Sequence, residues 1–65
     1  MRVEYVKDRF DDEFTLNKKY DFDVKSYGIE IVDDLNNKHV IATRNNEFNS
    51  YEEDDFFRHR FEFCD

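Results

Sequence analysis

Carboxylates are the reactive groups this chain has most of: 17 Asp and Glu stand against 10 Lys and Arg, for a net charge of −7. Two carboxylates can divide acid and base roles between them, but only in a cleft that gives them different surroundings. Acids spread over an acidic surface are what this composition produces by itself. Nucleophilic catalysis needs a hydroxyl or thiol beside a positioned base. Ser26, Ser50, Thr15 and Thr43 lie in no glycine-rich elbow or phosphate loop. His39, His59 and Cys64 show no C-x-x-C or H-x₃-H spacing, and no Asp/Asn ladder ends in Glu at EF-hand spacing. The run Asp8, Asp11, Asp12 and Glu13 reads as a solvated loop. The expectation is a protein with no catalytic residues, no metal and no cofactor.

Charge then points to recognition. Carboxylates spaced along loops can imitate a phosphate backbone, and their field speeds encounter with a basic partner. The candidates for partner binding are Asp11, Asp12 and Glu13 in one loop and Glu52, Glu53, Asp54 and Asp55 in another. Phe48 and Tyr51 serve as apolar anchors beside the second run. Asp21 and Asp23 on a strand face and the Asp33-Asp34 pair add to the same field. Surface acids also serve plain solubility. One basic and aromatic patch stands apart, Arg58 and Arg60 around His59, with Phe56, Phe57 and Phe61 alongside. It could stack bases, but a net charge of −7 repels the polyanion, so nucleic acid is the weaker partner. Arg58 and Arg60 more plainly offset the acids before them.

The elements that must carry these residues are short. A chain of 65 residues makes one domain at the lower edge of independent folding. Eight Phe and four Tyr offer it much buried area from few residues. Residues 2–7 read as a first strand. An acidic loop follows, with Phe10, Phe14 and Leu16 as apolar anchors. Tyr20, Phe22 and Val24 alternate with Asp21, Asp23 and Lys25, the period of a half-buried strand. Ser26, Tyr27 and Gly28 make a turn, residues 29–32 a third strand, and 39–43 a fourth. Asn36 and Asn37 tolerate the left-handed backbone that the hairpin between them needs. Near the C-terminus the spacing predicts a short 3₁₀ or helical turn over 57–60 and a last strand through Phe61 and Phe63. An alternative is a helix capped by Ser50 and running to Arg60.

Val3-Glu4-Tyr5-Val6-Lys7, then Leu16, Tyr20 and Phe22, then Ile31-Val32-Asp33-Asp34, and finally Arg60-Phe61-Glu62 together resemble small SH3-like β-barrel proteins of low-GC bacteria and their phages. The resemblance covers most of residues 2–39 and 56–63. It departs in two places. The glycine that group carries before its second strand is absent, with Asn17 or Lys18 in its place, and residues 44–55 look like an acidic insertion. The resemblance implies a mostly β fold, a small five-stranded SH3-like barrel spanning 1–65.

Cys64 is the only cysteine, so no internal disulfide is possible, and a reduced, cytoplasmic setting is expected. No apolar run approaches the roughly 20 residues of a membrane span. The functional expectation is a non-catalytic protein-interaction module. Its most specific form is a small phage or mobile-element regulator or inhibitor that docks on a basic surface of a host protein. The alternatives are a homo-oligomer with an assembly role and a weak nucleic-acid-binding domain.

Overall fold

The structure is a computed structural model that describes residues 1–43 and 51–64. Phe48, one of the two anchors expected in the acidic insertion, lies outside the described residues. The described chain is mostly β: β1 (Arg2–Tyr5), β2 (Lys19–Asp21), β3 (Asp23–Lys25), β4 (Gly28–Val32), β5 (Lys38–Ala42) and β6 (Phe61–Phe63), with a 3₁₀ turn at Tyr51–Glu53 and a single helical turn, α1 (Asp55–Arg58), ahead of β6.

Two three-stranded antiparallel sheets share the core, ordered β2-β1-β6 and β3-β4-β5. The single strand expected from Tyr20 to Val24 is broken at Phe22. Its first half pairs with β1 (Val3 opposite Tyr20) and its second with β4 (Val24 opposite Ile29). Strands that pass between two sheets bend where they cross. The described residues therefore form six short strands rather than five, and their sheets do not close into a barrel. Val24, expected in the core, is 55% exposed on edge strand β3.

The core is one cluster that combines aromatic rings with aliphatic side chains. Phe14 lies at the centre of the aromatic part, with ring centroids 5.3 Å from Tyr5, 5.0 Å from Phe61 and 6.1 Å from Tyr20. Val3, Ile29, Ile31 and Ile41 are fully buried, and Phe57 brings α1 onto the same cluster. Edge-to-face pairs such as Phe14–Phe61 add to what their buried area contributes. Two of the expected loop anchors, Phe10 and Leu16, are instead 89% and 44% exposed.

Three backbone positions hold this arrangement. Gly28 has φ 144°, and a Cβ there would collide with the Ala42 carbonyl oxygen, so the close β4–β5 approach admits only glycine. Asn36 takes φ 64° in the β4–β5 turn, as its type allows. Buried Asp33 secures that turn by accepting from the Leu35 and Asn37 amides. Asn17, where the resemblance led to expect glycine, takes φ 68° and donates its amide to the Tyr5 carbonyl at 2.7 Å. The helical turn is capped by Asp54, not by a residue at 50. Its carboxylate accepts from the Phe57 amide, the usual work of an N-cap.

Candidate interaction surface

Residues 6–18 form a loop whose base is tied rather than free. The Tyr5 hydroxyl donates to Asp11 Oδ2 at 2.8 Å, and Arg60 Nε donates to the same oxygen at 2.8 Å. The Arg9 amide donates back to the Tyr5 hydroxyl at 2.9 Å. Burial, together with the Asp11 carboxylate, pushes the Tyr5 phenol up from its ordinary value, so it remains a donor at neutral pH. The Arg60 guanidinium lies 3.9 Å over the Phe56 ring. Asp11 and Arg60 are thus partners of one another.

The tip of this loop points the other way. Phe10 has φ 62°, a backbone region that costs a bulky residue of order 1–3 kcal/mol, and its ring is 89% exposed. The Asp8 carboxylate holds that conformation by accepting the Phe10 amide at 2.8 Å. Asp8, Arg9 and Asp12, its neighbours in the chain, are exposed as well, and Glu13 is half-buried. The C-terminal side of the loop is anchored on Asp34, which accepts from the Thr15 hydroxyl, from Lys18 Nζ at 2.6 Å and from the Tyr20 hydroxyl at 3.1 Å. The Lys18 ammonium, then the Thr15 hydroxyl, hold the Asp34 carboxyl below the ordinary aspartate range.

The second acidic run divides differently. Tyr51 and Phe56 pack against the core and Phe57 lies within it. Asp54 is turned inward. Besides the Phe57 amide it accepts from the Thr43 amide at 3.0 Å and the Thr43 hydroxyl at 2.9 Å, tying α1 to the end of β5. Burial pushes its carboxyl upward, but the bonds from Thr43 and Phe57 outweigh that and hold it low. Asp55 pairs with Arg58 at 2.8 Å on the surface. Glu52 and Glu53 are exposed. Of the expected basic patch, Arg58 is exposed and paired, while Arg60 and Phe56 are occupied by each other and by Asp11.

Sequence reasoning placed Phe10 among the buried anchors and so missed it as a surface group. Its neighbours Asp8, Asp11 and Asp12, each able to organise a loop, were the available hint. Among the described residues no three His, Cys, Asp or Glu side chains converge on one point as metal ligands would. No helix among them is long and apolar enough to cross a membrane. The fold and this surface describe a small β domain with a tied loop that presents an aromatic side chain. No family model, curated protein or solved structure matches the chain.

Proposed function

We propose that this chain is a non-catalytic protein-interaction module that docks through the 6–18 loop, with Phe10 as the anchor and Asp8, Asp12 and Glu13 as the rim. The partner is a protein whose surface has an apolar pocket bordered by basic groups. The observation that carries this reading is Phe10, held outward in a strained conformation on a loop tied at its base. Strain persists where surrounding contacts enforce it, and such sites cluster at ligand clamps. A rigid aromatic group that gives up little entropy on docking is a common anchor of protein interfaces. The chain's net charge of −7 favours a basic partner. We read the fold as SH3-like, supported by β1 lying between β2 and β6 and by one bent strand feeding both sheets. A cytoplasmic phage or mobile-element regulator or inhibitor is the form this function takes.

The test is capture from low-salt bacterial lysate on the immobilised chain, with Phe10→Ala and Asp12→Lys in parallel. The wild type retains a partner at about 50 mM salt and releases most of it by about 300 mM. Phe10→Ala weakens retention by at least about tenfold, the loss of an anchor worth more than about 1 kcal/mol. A partner held equally by wild type and Phe10→Ala sinks the reading, as does retention that ignores salt.

A further inference from the structure

Among the described strands only β3 (Asp23–Lys25) has every residue exposed. It pairs with β4 on one side and forms the edge of its sheet on the other. What that edge offers follows from the ladders on either side of the bend at Phe22. The Lys18 carbonyl accepts from the Tyr5 amide, and the Phe22 amide donates to the Met1 carbonyl, so the even-numbered residues of the bent strand bond toward β1. Backbone groups alternate sides along an antiparallel strand. Asp23 and Lys25 therefore bond to β4, as the two-residue turn between Lys25 and Gly28 also requires. The N–H and C=O groups of Val24 point the other way, out of the sheet edge, and no backbone bond occupies them among the described residues.

The side chains of this edge run acid, apolar, base. Val24 is 55% exposed, and neither Asp23 nor Lys25 has an ion-pair partner among the described residues. That order is its own complement under a twofold axis. A second copy laid antiparallel with Val24 opposite Val24 sets each Asp23 opposite a Lys25. Directly opposed residues share a face, so the two Val24 side chains cover one another on one face and two ion pairs form on the other. The Val24 peptide groups exchange two N–H···O bonds. Lysine on an edge strand ordinarily blocks pairing, but here Asp23 supplies its counter-charge in the register the axis sets. Charge around the edge is balanced as well. Four of the chain's five lysines line the groove beside it, with Asp21, Asp23 and Glu30 among them and Asp34 paired to Lys18. Two copies of a chain of net charge −7 thus meet here on a neutral surface.

We infer that the β3 edge is a self-association site, at which two copies of this chain join through Asp23, Val24 and Lys25 into one six-stranded antiparallel sheet. The contact is isologous, so it closes on two copies and does not propagate. A three-residue edge buries little surface, and the dimer is therefore weak and reversible. The pairing accounts for an apolar residue left outside the core on an edge strand, and for two ions left without partners on either side of it. It is independent of the Phe10 reading, because the two surfaces share no residue.

The experiment is a dilution series of the ¹⁵N-labelled chain from about 2 mM to about 50 μM, the range in which a weak dimer dissociates. Concentration-dependent amide shifts are expected at Asp23, Val24 and Lys25, together with tumbling that slows toward that of a dimer, and the same behaviour is expected in Phe10→Ala. Asp23→Lys and Lys25→Asp, each shown by its own spectrum to be folded, associate at least about tenfold more weakly, because the axis makes one substitution into two repulsive pairs. An equimolar mixture of these two variants restores association, since each offers the charges that the other lacks. Asp23→Lys replaces an acid by a base and so moves the net charge by two, from −7 to −5. General repulsion would then fall, and weaker association by this variant reports the specific pairing. A chain that stays monomeric at millimolar concentration overturns the inference. So do shifts centred outside β3, undiminished association by either single variant, or a mixture that fails to restore it.

Discussion

The 6–18 loop and the 51–58 segment are alike in composition and opposite in construction. Each carries a run of acids beside aromatic residues, and each turns one carboxylate inward: Asp11 onto Tyr5 and Arg60, Asp54 onto Thr43 and Phe57. The difference lies in the rings. In the 51–58 segment Tyr51 and Phe56 pack on the core and Phe57 is 1% exposed, whereas in the loop Phe10 is 89% exposed. Acidity therefore does not separate scaffold from contact surface in this molecule. The direction of the aromatic side chain does.

The largest effect that tests this contrast is on stability. Phe57→Ala removes a ring from a filled core and should cost about 3–5 kcal/mol in urea unfolding, enough to unfold most of so small a domain. Phe10→Ala should stay within about 0.5 kcal/mol of wild type, because its ring buries almost nothing. Phe10→Gly sharpens the contrast. Relief of the left-handed strain offsets glycine's greater entropy loss on folding, so this variant should be at least as stable as Phe10→Ala while still losing the partner. A loss of more than about 1 kcal/mol in Phe10→Ala would show that the ring packs in solution and would erase the distinction between the two regions.

That contrast also marks what was legible in the sequence. The β4–β5 hairpin could be read from the alternation of Ile29 and Ile31 and from Asn36, because both signals are local. The break at Phe22 could not. Tyr20, Phe22 and Val24 alternate identically whether they form one strand or two halves, and only distant partners, β1 and β4, decide between them. Asp54 was equally hidden, since Ser50, Asp54 and Asp55 are all residue types that cap a helix and the choice depends on where Thr43 arrives. Phe10 was misplaced because its apolarity suggests burial, while its exposure follows from a backbone conformation set by Asp8.

Intermediate effects belong to the inward carboxylates. Asp54→Ala should lose about 1–2 kcal/mol through the cap and the Thr43 tie, while Asp12→Ala should be nearly neutral. Asp54→Asn retains the capping ability and removes the charge, which isolates the pH dependence. The Asp54 and Asp34 carboxyls sit below the ordinary range, so the folded state binds their protons less readily than the unfolded chain. The stability they contribute is complete above the unfolded aspartate value near about 3.9 and is lost as pH falls through it toward their lower folded values. Urea melts between pH 6 and pH 2 should therefore show a shallower acid decline in Asp54→Asn than in wild type. An identical slope would mean that the Asp54 charge contributes nothing to holding the 51–58 segment on the core.

The smallest effect compares two ion pairs of one length. Arg60–Asp11 and Arg58–Asp55 both measure 2.8 Å, but the side chains of the first are 19% and 18% exposed and those of the second 53% and 83%. Water and salt screen the outer pair, and holding two mobile side chains together offsets much of its attraction. A double-mutant cycle on Asp55 and Arg58 should therefore give a coupling below about 0.5 kcal/mol that fades with added salt. The same cycle on Asp11 and Arg60 should give more than about 1 kcal/mol, since removing either partner strands a half-buried charge and frees the base of the Phe10 loop. Equal couplings would mean that Asp11 is as solvated as Asp55, and the loop would then lack the rigid base on which an outward Phe10 depends.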